Sequence, residues 1–204
     1  TPVSIAGNGT ELGYYVHSGV NGFGDWRMKY SSASTPVEHT VANVVDMSYG
    51  FDSQCVATAT GVQCKGYQGG GLGDAANTTN TTSYVTVDTL TSATDVSVGS
   101  DFVCALDGSG NPYCWGSNVK GRLGTSNTTT FTTPVASNTS TTFVSIESGA
   151  KHTCALTAAG AMECWGSNEE GQMAETLHCG TGCGTRSKKS PDTVYDLGSS
   201  TRFS

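Results

Sequence analysis

Charged side chains are scarce in this sequence, where Asp, Glu, Lys and Arg together make up only 13% of 204 residues. Long apolar runs are missing as well, because none approaches the ~18 residues that a membrane-spanning helix needs. Lys and Arg number 10 against 17 Asp and Glu, which gives a formal net charge of −7. An acidic surface repels a phosphate backbone. The composition therefore favours neither a membrane span nor a nucleic-acid partner.

Glycine, by contrast, is plentiful, with 27 residues, and Ser, Thr and Asn fill much of the space between the glycines. These residues favour turns and short strands over long helices. Apolar residues rarely recur at helical spacing. The sequence predicts an all-β fold with many short strands and frequent tight turns.

A unit of about 50 residues recurs along the chain. Segment 98–124 matches segment 148–174, with Trp115 opposite Trp165, and a weaker copy at 49–73 has Lys65 in the Trp position. Each copy contains two cysteines nine or ten residues apart: Cys55 and Cys64, Cys104 and Cys114, Cys154 and Cys164. We place the three full repeats around 45–73, 95–124 and 145–174.

The two ends of the chain look like complementary parts of a fourth unit. Residues 1–26 align with the later part of a repeat, and 191–204 resembles the strand before each first cysteine, with Gly198 in the place of Gly149. We therefore predict a single repeat domain over 1–204 with one unit split between 1–26 and 191–204. That unit would close either within the chain or by exchange with a neighbouring copy, and both routes remove exposed strand edges.

These repeats resemble the regulator-of-chromosome-condensation type. The pattern of that family is a Gly, then His-x-x-Ala-Leu, a Gly turn and Trp-Gly-x-Asn-x-x-Gly-Gln-Leu-Gly. Segment Gly149 to Met173 matches it closely, and the preceding repeat has Arg122 in the Gln place. The resemblance, which extends to the propeller-type β-lactamase inhibitor proteins, implies a β-propeller. The 204 residues of this chain fit about four blades of ~50 residues, whereas familiar members of the family have seven blades.

The paired cysteines point to disulfides within hairpins. In each repeat a Gly turn separates the two residues, which places their Cβ atoms opposite each other on neighbouring strands. We expect bonds Cys55–Cys64, Cys104–Cys114 and Cys154–Cys164, each contributing about 2–3 kcal/mol through chain entropy.

Cys179 and Cys183 lie in an insertion, 175–190, that the other repeats lack. We expect a small disulfide-closed loop rather than a zinc site, because zinc needs four ligands and only His178 is adjacent. Arg186, Lys188 and Lys189 make the one dense basic patch in the sequence, either a solvated loop or a docking point for an acidic partner.

Eight cysteines indicate an oxidising compartment, and the start at Thr1 rather than Met is consistent with removal of a signal segment. Five Asn-x-Ser/Thr sequons lie in polar stretches that are typical of surface loops. The candidate N-glycosylation residues are Asn8, Asn77, Asn80, Asn127 and Asn138. We therefore expect an extracellular location, secreted or at the cell surface, and covalent glycans.

No motif in the sequence indicates catalysis. A nucleophile elbow, a His-Glu-x-x-His pair and a phosphate-binding loop are all missing. His152 holds the recurrent His position, where a packing or hydrogen-bonding role is expected, and Ser53 and Phe102 hold that position in the other repeats. We predict a protein without catalytic, cofactor-binding or metal-binding residues.

The leading functional hypothesis is a non-enzymatic extracellular structural glycoprotein whose copies associate into a filament or surface assembly. The alternative is a monomeric secreted binding module or inhibitor that engages another protein through one propeller face. Such a face needs aromatic anchors, for which Tyr67, Trp26 and Phe131 are the candidates. A lectin-like or carbohydrate-active propeller is a third possibility and would require aromatics and carboxylates in one pocket.

Overall fold

The computed structural model describes residues 2–7, 11–17, 23–30, 37–50, 53–66, 71–76, 79–173 and 187–196. These residues are almost entirely strands and turns, with one short 3₁₀ turn at Val119–Gly121. Within the described ranges, no helix is long and apolar enough to cross a membrane. The all-β prediction is confirmed.

The strands form four antiparallel sheets of four strands each, and within every sheet the spatial order follows the chain. The first sheet contains β1 (Pro2–Gly7), β2 (Glu11–His17), β3 (Phe23–Tyr30) and β4 (Val37–Ala42). The second contains β5 (Val44–Tyr49), β6 (Ser53–Thr58), β7 (Gly61–Gly66) and β8 (Thr81–Thr86). The third contains β9 (Asp95–Val98), β10 (Phe102–Leu106), β11 (Pro112–Gly116) and β12 (Phe131–Ala136). The fourth contains β13 (Ser145–Ser148), β14 (His152–Leu156), β15 (Ala161–Gly166) and β16 (Lys188–Asp196).

This topology differs from the predicted unit split between 1–26 and 191–204. Strand β3 pairs with β2 and strand β4 pairs with β3, so the first sheet has four strands from residues 2–42, and no described C-terminal strand joins it. The described part of the C-terminal segment, up to Asp196, belongs to β16 and pairs with β15. Each described sheet is therefore built from four consecutive strands of the chain.

Glycine turns join the second and third strands of the repeats. Gly61 and Gly110 have φ values of 131° and 82°, a region that favours glycine. A Cβ at Gly110 would lie 2.5 Å from the Phe143 carbonyl oxygen, and one at Gly61 would lie 2.2 Å from that of Leu90. Both turns thus need glycine for its backbone conformation and for the close approach of the next segment.

The sheets pack face to face in chain order. The first strands lie next to one another, β1 beside β5, β5 beside β9 and β9 beside β13. Successive side chains of strand β10 point to opposite faces of the third sheet, so this strand contacts both neighbouring sheets. Val103 and Ala105 belong to the core shared with the second sheet, whereas Phe102, Cys104 and Leu106 belong to the core shared with the fourth. Each inner sheet is therefore buried on both faces.

The tryptophans that recur in the third and fourth repeats lie in these shared cores. Trp115 is fully buried, and its Nε1 donates a hydrogen bond to the Gly71 carbonyl oxygen of the preceding repeat, at 2.8 Å. Leu72, next to Gly71, is also fully buried in the same core. The Trp of one repeat and the Leu-Gly ending of the repeat before it thus meet between sheets.

Candidate protein-contact site

The six cysteines of the repeats face each other as directly opposed pairs on neighbouring strands. Disulfides join Cys55 to Cys64, Cys104 to Cys114 and Cys154 to Cys164, with Cα–Cα distances of 4.2, 4.1 and 4.1 Å. They are the bonds that the repeat spacing predicts. Cys179, Cys183 and His178 lie outside the described residues, and no group of metal-binding side chains occurs among those that are described.

Side chains on the first strand of one sheet bind the backbone of the next sheet. The Val96 N–H donates to Asp46 Oδ2 at 2.9 Å, and one repeat later the Ile146 N–H donates to Asp95 Oδ2 at 2.8 Å. Serine hydroxyls accept equivalent hydrogen bonds two residues after each aspartate. The Val98 N–H donates to Ser48 Oγ at 3.0 Å, and the Ser148 N–H donates to Ser97 Oγ at 2.7 Å. The sheets are thus joined by a repeating polar ladder.

This ladder brings three carboxylates close together. Burial, with a contribution from neighbouring Asp95, raises the pKa of Asp46 to about 7. Burial and the same Asp95 raise the pKa of Glu147, although a hydrogen bond from Ser97 at 3.4 Å opposes the shift. Asp46 is therefore largely protonated in mildly acidic solution. Sequence analysis did not identify these acids, although their recurrence four or two residues before Gly50, Gly99 and Gly149 was available as a signal.

A buried asparagine holds the loop that follows each Trp-Gly pair. Asn118 Oδ1 accepts a hydrogen bond from the Leu123 N–H at 3.0 Å, and Asn168 Oδ1 accepts one from the Met173 N–H at 3.0 Å. Asn118 is completely buried, and its Nδ2 also donates to Thr125 Oγ1 at 3.0 Å. The asparagine of the repeat pattern therefore shapes the loop from inside.

Charged and hydroxyl groups connect the loops of the third and fourth repeats. Lys120 Nζ lies 2.6 Å from Glu169 Oε1, and this ion pair lowers the pKa of Glu169. Ser100 Oγ donates to the Ala150 carbonyl oxygen at 2.6 Å. Arg122 is buried, pairs with Asp101 and lies over the Phe102 ring at 5.4 Å. These contacts connect the loops of the third and fourth repeats, and we call the surface that they form the rim: residues 100–101, 117–122, 150–151 and 167–170.

The sequons within the described residues are accessible. Asn80, Asn127 and Asn138 are all exposed, whereas Asn8 and Asn77 lie outside the described residues. Asn138 Nδ2 donates to Ser126 Oγ at 2.6 Å, so the last two sequons occupy adjacent loops. Asn127 Oδ1 accepts a hydrogen bond from the Thr129 N–H at 2.9 Å.

The other candidates from the sequence are less prominent. Phe131 is half-buried against the core between the third and fourth sheets, and the side chains of Trp26 and Tyr67 are not described. Lys189 is exposed and Lys188 half-buried, and Arg186 is outside the described residues. His152 is half-buried, which lowers its pKa, and a Cβ at Gly149 would lie 2.3 Å from its ring. A packing role for His152 fits this contact.

The described large apolar side chains that remain exposed are few: Val45, Val119, Val144 and Leu156. Sequence analysis overlooked Leu156, since Leu belongs to the repeat pattern and is expected in the core. The exposure of Leu156 distinguishes the fourth sheet from the third sheet, in which the equivalent Leu106 is fully buried.

Comparisons with known proteins agree with this architecture. Models of the regulator of chromosome condensation (RCC1) repeat match residues 109–156 in one case, and 93–122 and 143–172 in another. No curated protein matches the chain.

Solved structures extend the similarity to nearly the whole chain. Human WBSCR16 matches 96% of the chain with a TM-score of 0.73 and 15% sequence identity. Yeast RCC1 (Prp20), solved bound to Kap60, also matches 96% of the chain, with a TM-score of 0.68 and 16% sequence identity. The ectodomain of the Physcomitrella patens receptor kinase CR4 matches 79% with a TM-score of 0.54 and 16% identity. The chain covers 55%, 49% and 40% of these three structures, so it spans about half of their length or less.

Proposed function

This chain is a β-propeller of the RCC1 type, and we propose that it acts through contacts with other proteins rather than by catalysis. The observation that carries this proposal is the rim, where side chains of successive repeats are tied together before any partner arrives. A rigid surface loses little conformational entropy on binding, so more of the contact energy appears as affinity. Yeast RCC1, which has the same fold, was solved in a complex with the protein Kap60.

The partner that we propose is another copy of the same chain, in an extracellular structural assembly. Three disulfides and three exposed sequons support an oxidising, glycosylating compartment. The CR4 ectodomain offers an example of an extracellular part of a receptor with a similar fold.

Sedimentation velocity over a wide range of concentrations tests the proposal. The protein should be secreted from a eukaryotic host, and an enzymatically deglycosylated portion should be compared with the native material. We expect the deglycosylated protein to exceed the 21.0 kDa of one chain and its mass to rise with concentration.

A uniform monomer at every concentration would reject self-association. A monomer that binds one unrelated protein with fixed stoichiometry would support the alternative, a binding module or inhibitor. The mass lost on deglycosylation reports how many sequons carry glycans, and no loss at all would contradict the proposed glycoprotein.

A further inference from the structure

Equivalent residues in three repeats differ sharply in exposure. Ala57, Leu106 and Leu156 each lie two residues after the first cysteine of their repeat. Ala57 and Leu106 are 0% exposed, whereas Leu156 is 40% exposed. Because the local strand geometry is the same, the difference must come from what packs against the sheet.

The side of each sheet that packs against the next sheet in the chain is called here the forward face. On the forward face of the third sheet, Phe102, Cys104 and Leu106 are all completely buried. They share a core with Ile146, Ala155 and Trp165 of the fourth sheet: the next sheet covers them. The forward face of the second sheet is covered in the same way by the third, with Cys55 and Ala57 at 0% exposure.

The forward face of the fourth sheet has the same kinds of residue but less cover. His152 and Cys154 are only half-buried, although the equivalent Phe102 and Cys104 are fully buried. Leu156 completes this set. In the part of the chain that the structure describes, this face therefore has the composition of a sheet–sheet interface and remains partly open to solvent.

Exposure of Leu156 is not a general property of strand ends. Val144 is 59% exposed, and its counterpart in the interior second sheet, Val45, is 55% exposed. That position is open whether or not another sheet follows. Leu156, by contrast, is exposed at a position where Ala57 and Leu106 are buried, and in both of those cases a described sheet follows and packs against them.

We propose that the forward face of the fourth sheet is a docking surface for a second copy of this chain, whose first sheet (β1–β4) takes the place of the next sheet. The inference rests on the proposed function that copies of the chain associate. It places that association on His152, Cys154 and Leu156, which follow rim residues 150–151 in the chain, and not on the rim itself. The contact continues the interface that already joins the second, third and fourth sheets. Repeated around two copies, it would close a ring, and repeated without closure it would build a filament.

Leu156→Arg tests this surface, with Val45→Arg as the matched control at a more exposed position away from it. In sedimentation velocity, we expect Leu156→Arg to weaken association at least tenfold, because a charged side chain would have to be desolvated in the interface. Val45→Arg should associate like the wild type. Thermal unfolding of both variants verifies that the fold is kept.

Cross-linking of the unaltered chain gives a readout that does not depend on any variant. Copies labelled with heavy and light nitrogen should be mixed and treated with a lysine-reactive cross-linker. We expect mixed-isotope links between Lys151, which is exposed beside β14, and Lys29 in β3 of the other copy.

The outcomes separate the two proposals. A wild type that stays monomeric rejects self-association itself. A wild type that associates, together with unchanged association of Leu156→Arg and no mixed-isotope links to the first sheet, rejects this docking surface and leaves self-association standing.

Discussion

At the scale of single residues, the asparagine of the repeat pattern stabilises the loop after each Trp-Gly pair through hydrogen bonds to the loop backbone. Asn118 is completely buried, and its amide group binds both the Leu123 backbone and the Thr125 side chain. Leu123 is itself fully buried. Because Leu123 is buried, water cannot replace the hydrogen bond to its backbone N–H when the Asn118 acceptor is removed.

Replacing this asparagine should destabilise the protein. Asn118→Ala leaves the buried Leu123 N–H unsatisfied, and we expect the free energy of unfolding to fall by about 1–3 kcal/mol. Urea unfolding followed by tryptophan fluorescence measures this change. Asn138→Ala, at an exposed asparagine, is the control and should stay within about 0.5 kcal/mol of the wild type. Both variants should be made without glycans. Equal stabilities of the two variants would contradict the structural role of Asn118.

At the scale of elements, one disulfide joins the two central strands in each of the second, third and fourth sheets. Cys104 and Cys114 are both completely buried between the third and fourth sheets, whereas Cys154 on the fourth sheet is half-buried. Their strands are directly paired by the backbone as well. The disulfide therefore adds to a hairpin whose register is already determined.

Removing a disulfide should cost stability without changing the fold. For Cys104→Ala with Cys114→Ala, we expect a loss of about 2–3 kcal/mol from the released chain entropy, and a further loss from the cavity in a buried core. The Cys154→Ala, Cys164→Ala protein should lose less, since Cys154 is only half-buried although Cys164 is completely buried. Chemical unfolding of both double variants gives the comparison. An equal or reversed order would show that core burial does not determine the cost.

The elements of the full repeats could be predicted from the sequence because local signals coincide there. Paired cysteines, a Gly turn and a Trp-Gly step all indicate the same hairpin, as at Cys104–Cys114. Strands β3 and β4 were missed, since residues 27–42 carry none of these signals. The exposure of Leu156 could not be predicted either: in sequence it is equivalent to the buried Leu106, and only the neighbouring sheet distinguishes them.

At the scale of the whole molecule, cohesion depends on polar bonds between sheets as well as on the apolar cores. Asp46 accepts a hydrogen bond from Val96 across the boundary between the second and third sheets. The groups that titrate nearby are Asp95 on β9 and, beyond it, Glu147 on β13. Because the pKa values of Asp46 and Glu147 are raised, we expect the packing of the sheets to depend on pH.

The direction of this sensitivity follows from the raised pKa of Asp46. Its value is about 7 in the folded chain against an ordinary value of 3.8, so the folded state binds more protons between these limits. The contribution of Asp46 to stability is therefore present in acid and is lost as the pH rises from about 4 to about 7. Asp46→Asn stays neutral and keeps an acceptor for Val96. We expect the melting temperature of the variant, relative to the wild type, to increase between pH 5 and pH 8.

Calorimetric scans of both proteins across this range measure the difference. The control is Asp88→Asn, at an aspartate that follows β8 and lies outside the ladder, and its melting temperatures are compared with those of Asp46→Asn over the same range. Parallel curves for Asp46→Asn would show that this carboxyl group does not couple protonation to sheet packing.

The polar ladder also has a consequence for how the chain acquires its structure. Its bonds join residues 50 or 51 positions apart, one repeat and no more. Among the described residues, these bonds join each sheet to its neighbour in the sequence, so we expect each sheet to be able to fold onto the one before it as synthesis proceeds. The kinetic barrier then reflects the closure of one repeat-length loop at a time and does not grow with the total number of repeats.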